Sequence, residues 1–331
     1  MIGVKRILSL TAALLLLLAS LAGCGNHYEK AEDTVFQVLQ ITDVHIQNDE
    51  KKDQKAFKTI SAMVETARPD LIVVTGDITS EKENMPAFET FCTFMENLEI
   101  PWAFTFGNHD AEGDASKQAL SDYLEKLEHC IYERGDAAVD GMGNYTYNVT
   151  HEGKPLMSLI MMDSNMYYPD EAVGGYDCFH ENQIEWYRNT VKSIAREANG
   201  DEAKVVPSLA FFHIPMREYK TAYDEARQNG AVISGRRFEK ECSSNVDDGM
   251  FEAMLELGST RGVFVGHDHM NNYSVDYKGI RLTYGLSCDH NIYVVPFRGG
   301  VLINIKEDGS FTTQTLIRHR LQNSISVGKE K

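Results

Sequence analysis

The stretch Val35-Phe36-Gln37-Val38-Leu39-Gln40-Ile41-Thr42-Asp43-Val44-His45 decides how the rest of the chain is read. Its first eight residues read as a buried strand, with Phe36, Val38, Leu39 and Ile41 as the apolar positions. The apolar run then stops on a carboxylate and, two residues on, an imidazole. Residues just past the carboxyl end of a strand lie where open α/β sheets hold their ligands. Moving outward, Phe57, Ile60, Met63 and Val64 fall at helical spacing and predict a helix over 53–67. A strand over 71–75 follows, then a helix over 86–98 with Pro86 near its first turn. A third strand over 102–106 and a third helix over 115–127 complete the series. Such alternation predicts parallel strands joined by right-handed crossovers.

The second half has another rhythm. Strands over 145–149 and 156–162 turn at Gly153, a helix covers 181–198, and an apolar strand covers 205–212. From Arg261 short strands dominate, at 262–265, 273–277, 280–284, 292–295 and 301–305. The turns Asp276-Tyr277-Lys278-Gly279 and Glu307-Asp308-Gly309-Ser310 are hairpin signals. Parallel units first and antiparallel strands last predict an α/β fold of two mixed sheets packed together, with helices outside. No linker-like stretch interrupts residues 35–318, so one domain is expected there, with 319–331 as a C-terminal tail.

Residue types that bind metals recur at the ends of these strands. Asp43 and His45 follow the first strand, and Gly76-Asp77 the second. Gly107-Asn108-His109-Asp110 follows the third, His213 the strand over 205–212, and Gly266-His267-Asp268-His269 the strand over 262–265. Each piece alone is weak: Asp-x-His is common, and Gly-Asp usually marks a turn. Gly-Asn-His-Asp is rarer, with a chance match in a chain this long on the order of one in a thousand. Five strands would thus deliver carboxylate, imidazole and amide groups to one crevice.

In this order the motifs resemble those of the calcineurin-like metallophosphoesterase superfamily, over roughly residues 35–310. Phe211-Phe212-His213-Ile214-Pro215 and Val265-Gly266-His267-Asp268-His269 look most similar to a branch related to purple acid phosphatases. The resemblance implies a four-layer α-β-β-α sandwich, in agreement with the element pattern. It also implies two metal ions. Asp43, His45 and His269 would hold the first, Asn108, His213 and His267 the second, and Asp77 would bridge both. Mixed nitrogen and oxygen ligands suit Mn, Fe, Zn or Ni, and a bridging carboxylate keeps two cations about 3.5–4 Å apart. A water shared by both would lose a proton near neutral pH and attack phosphorus in line, while the metals neutralise the phosphate oxygens.

By the same resemblance His109 is a general acid or transition-state donor near the leaving oxygen, a role that contributes about 10²–10⁴-fold. Asp110 either orients His109 or only shapes the turn, and Asp268 supports a neighbouring ligand or its loop. Two departures from the pattern matter. Purple acid phosphatases carry a tyrosine three positions after the bridging Asp and a glycine in place of His45. Here the first position is Ser80, so a purple ferric centre is not expected. Protein Ser/Thr phosphatases carry an Asp and an Arg shortly after the bridging Asp, and residues 78–82 (Ile-Thr-Ser-Glu-Lys) offer neither. Tyr145, Asn165, Tyr167, Tyr168, Tyr176, His180, His290 and Arg298 lie in loops that could rim the crevice. Arg298 could clamp a phosphate bidentately, with His290 as a second substrate contact.

The amino terminus reads as an export signal. Met1–Arg6 is basic, residues 7–21 are almost wholly apolar, and Leu21-Ala22-Gly23-Cys24 resembles the lipobox of bacterial lipoproteins. At about 15 residues the run is short for a membrane span. Residues 1–23 are therefore expected to be a signal peptide, Cys24 the lipidated residue that anchors the exported chain to a membrane, and 24–34 a polar tether. Five further cysteines, an odd number with no Cys-x-x-Cys pair, imply no disulfide framework.

Over 331 residues, 43% hydrophobic and 24% charged content indicates a folded chain. The net charge of −17 argues against a long nucleic-acid partner, because phosphate contacts need clustered Lys and Arg. The expected activity is phosphatase or phosphodiesterase action on a small extracytoplasmic phosphoester, with no protein partner indicated. The competing reading is a lipid-anchored protein that binds metal or phosphate without turnover.

Overall fold

The opening apolar stretch forms β1 (Thr34–Ile41), in which every residue from Gln37 to Ile41 is buried. This computed structural model describes residues 31–321; the expected signal peptide, Cys24 and most of the tether and tail lie outside the described residues. α1 (Glu50–Ala67) starts three residues earlier than its apolar spacing suggests, because the Asp49 carboxylate caps it by accepting the Lys52 N–H. β2 (Leu71–Thr75), α2 (Asn84–Glu96), β3 (Trp102–Thr105) and α3 (Lys117–Leu124) follow as the alternation predicts. β1, β2 and β3 pair in parallel. β11 (Gly299–Lys306) and β12 (Phe311–Ile317) add antiparallel strands on the other side of β1, giving the order β12-β11-β1-β2-β3.

The second sheet begins with β4 (Tyr145–His151) and β5 (Lys154–Met161), which turn at Gly153. α4 (Glu181–Asn199), β6 (Ser208–Phe211), α5 (Glu218–Asn229), β7 (Ile233–Ser234) and α6 (Met250–Leu257) come next, then β8 (Thr260–Val265), β9 (Ser274–Tyr277) and β10 (Ile280–Tyr284). Its order is β4-β5-β6-β8-β10-β9-β7, with β5, β6, β8 and β10 mutually parallel. Both sheets are mixed, as expected.

Strand alternation assigns the layers. Leu159, Met161, Leu209, Phe211 and Phe264 point into one apolar cluster shared with β1, β2, β3 and β11 of the first sheet. Their chain neighbours Ile160, Met162, Ala210, Phe212, Val263 and Val265 point the other way, against Tyr187 and Val191 of α4, Tyr219 of α5 and Phe251 of α6. α1 and α2 cover the outer face of the first sheet through Phe57, Ile60, Met63, Phe88 and Phe91. This is the four-layer sandwich. Each large apolar side chain so buried contributes about 1.5–3 kcal/mol.

Two expectations change, and two helices are added. Residues 292–295 are a loop and not a strand, because the Asp289 carboxylate accepts the N–H groups of Asn291, Ile292 and Tyr293 and takes them from any ladder. α5 and α6 carry only a weak sequence signal: α5 buries chiefly Tyr219, Ala222 and Ala226, and α6 is only eight residues long. The fold also continues past 318, since Leu321 is buried in the core. The five cysteines of the described chain are free thiols, with Cys92 and Cys288 buried. No helix among the described residues is long and apolar enough to cross a membrane.

Candidate metal centre

The carboxyl ends of β1, β2 and β3 in one sheet face those of β6 and β8 in the other, and the loops leaving them interlock. Asp43 N–H donates to the Gly76 carbonyl, His45 N–H to the Asp77 carbonyl, and Gly266 N–H to the His213 carbonyl. Four residues on these loops hold left-handed backbone: Asp43 (φ 50°), His45 (φ 49°), Asp77 (φ 53°) and His267 (φ 73°). A non-glycine residue there costs on the order of 1 kcal/mol, and such residues gather at functional sites. The motif glycines permit the approach. A Cβ on Gly107 would lie 2.2 Å from Asp77 Oδ1, and one on Gly76 2.5 Å from Gly107 N.

The side chains converge as two groups that share Asp77. Asp43, His45, Asp77 and His269 form one, and Asp77, His213 and His267 the other, with the ligand atoms of each within 4.8 Å of one another. Asp77 Oδ2 lies 3.0 Å from His213 Nε2 and 3.9 Å from His45 Nε2. His269 Nε2 lies 3.1 Å from Asp43 Oδ1 and 3.1 Å from His45 Nε2, and His267 Nδ1 lies 3.3 Å from His213 Nε2. The Asn108 side-chain oxygen is buried here without a hydrogen-bond partner.

The donor set fits two cations on its own chemistry. His213 Nδ1 is 2.8 Å from the Thr75 carbonyl, which accepts its proton and leaves Nε2 as the nitrogen aimed at Asp77. An imidazole lone pair facing a carboxylate oxygen requires positive charge between or upon them. Without metal, protons supply it. Burial opposes charge on His213, but Asp77 outweighs it and holds the imidazole up to about 10. Burial likewise opposes the Asp77 carboxylate, and His213 outweighs it to hold the group well below the carboxylate range. Burial pushes His45 down to about 4 and His267 to about 3, so both are neutral, the state a metal ligand needs.

Residues 36–271 match the calcineurin-like phosphoesterase family. The chain belongs to that family. Among its relatives it is 28% identical, over 78% of its own length and 73% of theirs, to a protein named probable inactive purple acid phosphatase 29 from Arabidopsis thaliana. It is 25% identical to phosphatase DCR2 of Saccharomyces cerevisiae, over 75% of this chain but only 46% of that one. A solved dimetal phosphatase from Danio rerio shares the fold, with a TM-score of 0.60 at 12% identity over 86% of this chain and 97% of the other.

In this calcineurin-like phosphoesterase six of the seven ligand candidates meet, while Asn108 carries a buried side-chain oxygen without a hydrogen-bond partner. His109 lies beside the six: its backbone N–H donates to Asp77 Oδ1, and its ring lies 5.6 Å from that of His45. Asp110 does not orient His109. Its buried carboxylate accepts the N–H groups of Asp77 (3.0 Å), Ile78 (2.7 Å) and Gly107 (2.8 Å), tying the second and third strand-end loops together. Burial, then Asp77, pushes it up to about 7 against those hydrogen bonds. The partner of His109 Nδ1 is Glu112, which also accepts the Tyr167 hydroxyl. A carboxylate three residues after the histidine is a weak signal in a sequence with 49 acids.

Of the expected substrate contacts, neither Arg298 nor His290 meets the ligands. Arg298 donates to the Asp289 and Tyr293 carbonyls, and His290 Nε2 lies 3.1 Å from the Thr59 hydroxyl on α1. Both groups brace the loop that replaced the expected strand. Tyr145 is core, its hydroxyl bonded to Phe104 backbone, and His180 sits at the start of α4 beside Asp140 and Asp177. Tyr176 does line the crevice, together with Tyr293, Val294, Met270, Glu239 and Cys242. Asp268 supports its loop, accepting the Tyr284 hydroxyl at 2.5 Å and the Cys242 N–H.

Proposed function

We propose that this chain hydrolyses phosphoesters on a small extracytoplasmic substrate, using two transition-metal ions such as Mn, Fe, Zn or Ni. The observation that supports this reading is the convergence of Asp43, His45, Asp77, His213, His267 and His269 into two groups sharing one carboxylate, with Asn108 and His109 at hand. When bound, the cations would supply Lewis-acid stabilisation of the phosphoryl oxygens and a water acidic near neutral pH. The chain's own residues do the rest. Asp77 fixes the spacing of the two halves. The Thr75 carbonyl fixes the tautomer of His213. His109, held at Nδ1 by Glu112, keeps Nε2 for the leaving oxygen.

Hydrolysis of p-nitrophenyl phosphate and of its bis ester by Mn²⁺-loaded protein tests this, with Asp77→Asn alongside. Turnover in the wild type that Asp77→Asn abolishes is expected. Inertness of the loaded protein on a broad phosphoester panel would remove the enzyme reading. What would then stand is a lipid-anchored protein that binds metal or phosphate without turnover, a reading favoured by the word "inactive" in its plant relatives' names. The retained ligand set and His109 favour turnover.

The membrane anchor through Cys24 is part of the same proposal. Its support is the lipobox-like Leu21-Ala22-Gly23-Cys24. Incorporation of labelled fatty acid that Cys24→Ser abolishes is the expected outcome, and equal labelling of both would overturn it.

A further inference from the structure

The crevice has a floor and walls of different character. Asp77, His109, His267 and His269 form the floor; Tyr176, Tyr293, Val294 and Met270 stand around it, in a space of about 200 Å³. Tyr176 is edge-on to His267 with ring centroids 4.2 Å apart, and Tyr293 edge-on to His269 at 4.0 Å. One tyrosine thus stands beside a non-bridging imidazole in each half of the centre. Val294 is 96% exposed and Ile292 41%. An apolar tip left in water beside a polar crevice is the informative exception to burial.

This tip is built. The Asp289 carboxylate fixes the N–H groups of Ile292 and Tyr293, Arg298 holds the carbonyls of Asp289 and Tyr293, and Asn291 ties the loop to the His45 carbonyl. Charge narrows what it can face. Among the described residues that line the crevice there is no lysine or arginine, whereas Glu239 and Asp268 are present. A second phosphate or a carboxylate on the substrate would find carboxylates and no cationic side chain.

We infer that the crevice takes a phosphoester bearing a single phosphoryl group on an uncharged aromatic or apolar group, which lies between Tyr176 and Tyr293 against Val294. This rests on the phosphoesterase reading above and names its substrate class. Aromatic side chains offer large apolar area and ring-to-ring geometry to such a group, and the metals alone serve its phosphate.

The test uses the full chain loaded with Mn²⁺ and has a binding arm and a turnover arm. Calorimetry compares 2-naphthylphosphonate with methylphosphonate. Kinetics compares 2-naphthyl phosphate, glycerol phosphate and ATP. The naphthyl compound should bind about tenfold more tightly than the methyl one. That ratio should fall toward one in Tyr293→Ala and part of the way in Val294→Ser. Val232→Ser, at an equally water-facing valine outside the crevice (85% exposed), should keep the wild-type ratio. The expected order of kcat/KM is naphthyl phosphate, then glycerol phosphate, then ATP. A preference for ATP or glycerol phosphate, or a binding ratio unmoved by both crevice variants, overturns the inference. Naphthylphosphonate preference without turnover of any ester would uphold the inference and sink the phosphoesterase reading; turnover without aryl preference would do the reverse.

Discussion

His109 Nδ1 and Glu112 Oε2 lie 2.5 Å apart, and the second Glu112 oxygen accepts the Tyr167 hydroxyl. A carboxylate so placed fixes the ring and leaves Nε2 as the nitrogen available to a substrate. General acid–base catalysis contributes about 10²–10⁴-fold, and losing the carboxylate that orients the acid forfeits part of it. Glu112→Gln should therefore slow hydrolysis of an alkyl phosphate by about tenfold or more and of p-nitrophenyl phosphate by less, because a good leaving group needs little protonation. Equal losses on both esters would show that Glu112 only shapes the loop.

Asp110 makes the opposite prediction. The backbone N–H groups of Asp77, Ile78, Thr79 and Gly107 depend on its carboxyl oxygens, and each buried donor left unsatisfied costs about 1–3 kcal/mol. Asp110→Ala should lower the urea-unfolding free energy of chelator-treated protein by about 3 kcal/mol or more. Asp110→Asn, if folded, should keep the wild-type dependence of rate on leaving group. Wild-type stability with an altered leaving-group dependence would return Asp110 to the role of orienting His109.

Gly107→Ala places a methyl group 2.2 Å from Asp77 Oδ1. The loop or the bridging carboxylate must move, so metal content should fall while the remote core stays intact. Elemental analysis beside a far-ultraviolet dichroism spectrum checks this, and a variant with its full metal content would contradict it.

His290 carries the pH prediction. Burial first, then Arg298 and Arg318, pushes its folded pKa down to about 4, against an unfolded value of 6.5. As pH falls from about 6.5 toward 4 the unfolded chain binds a proton that the folded chain refuses, so stability is lost across that window. The ring is half-buried, and solvent screening limits the loss to about 1 kcal/mol. His290→Gln should flatten the decline in the urea-unfolding free energy between pH 7 and pH 5 by that amount. An unchanged decline would contradict it.

Much of the fold and the ligand set could be read from the chain because both rest on short-range pattern. Apolar runs ending at Thr42, Thr75, Phe106, Phe212 and Val265 mark strands, and the residues after them must lie at one edge of a parallel sheet. What escaped depended on tertiary pairing. The Glu112 carboxylate acquires meaning only when the loop folds it onto His109. Asp110 and Arg298 looked chemically apt, yet each is consumed by backbone groups that the sequence does not show as needing a partner. Ile292-Tyr293-Val294-Val295 has the composition of a strand, and a single upstream carboxylate, Asp289, takes the amides that would have paired.

Sharing of Asp77 by two cations is most directly tested by counting them. Chelator-treated protein, reloaded with Mn²⁺ and freed of excess by gel filtration, should carry two ions per wild-type chain by elemental analysis, and Asp77→Asn at most one. One ion or none in the wild type, or two retained in Asp77→Asn, would contradict the bridged centre and the chemistry drawn from it.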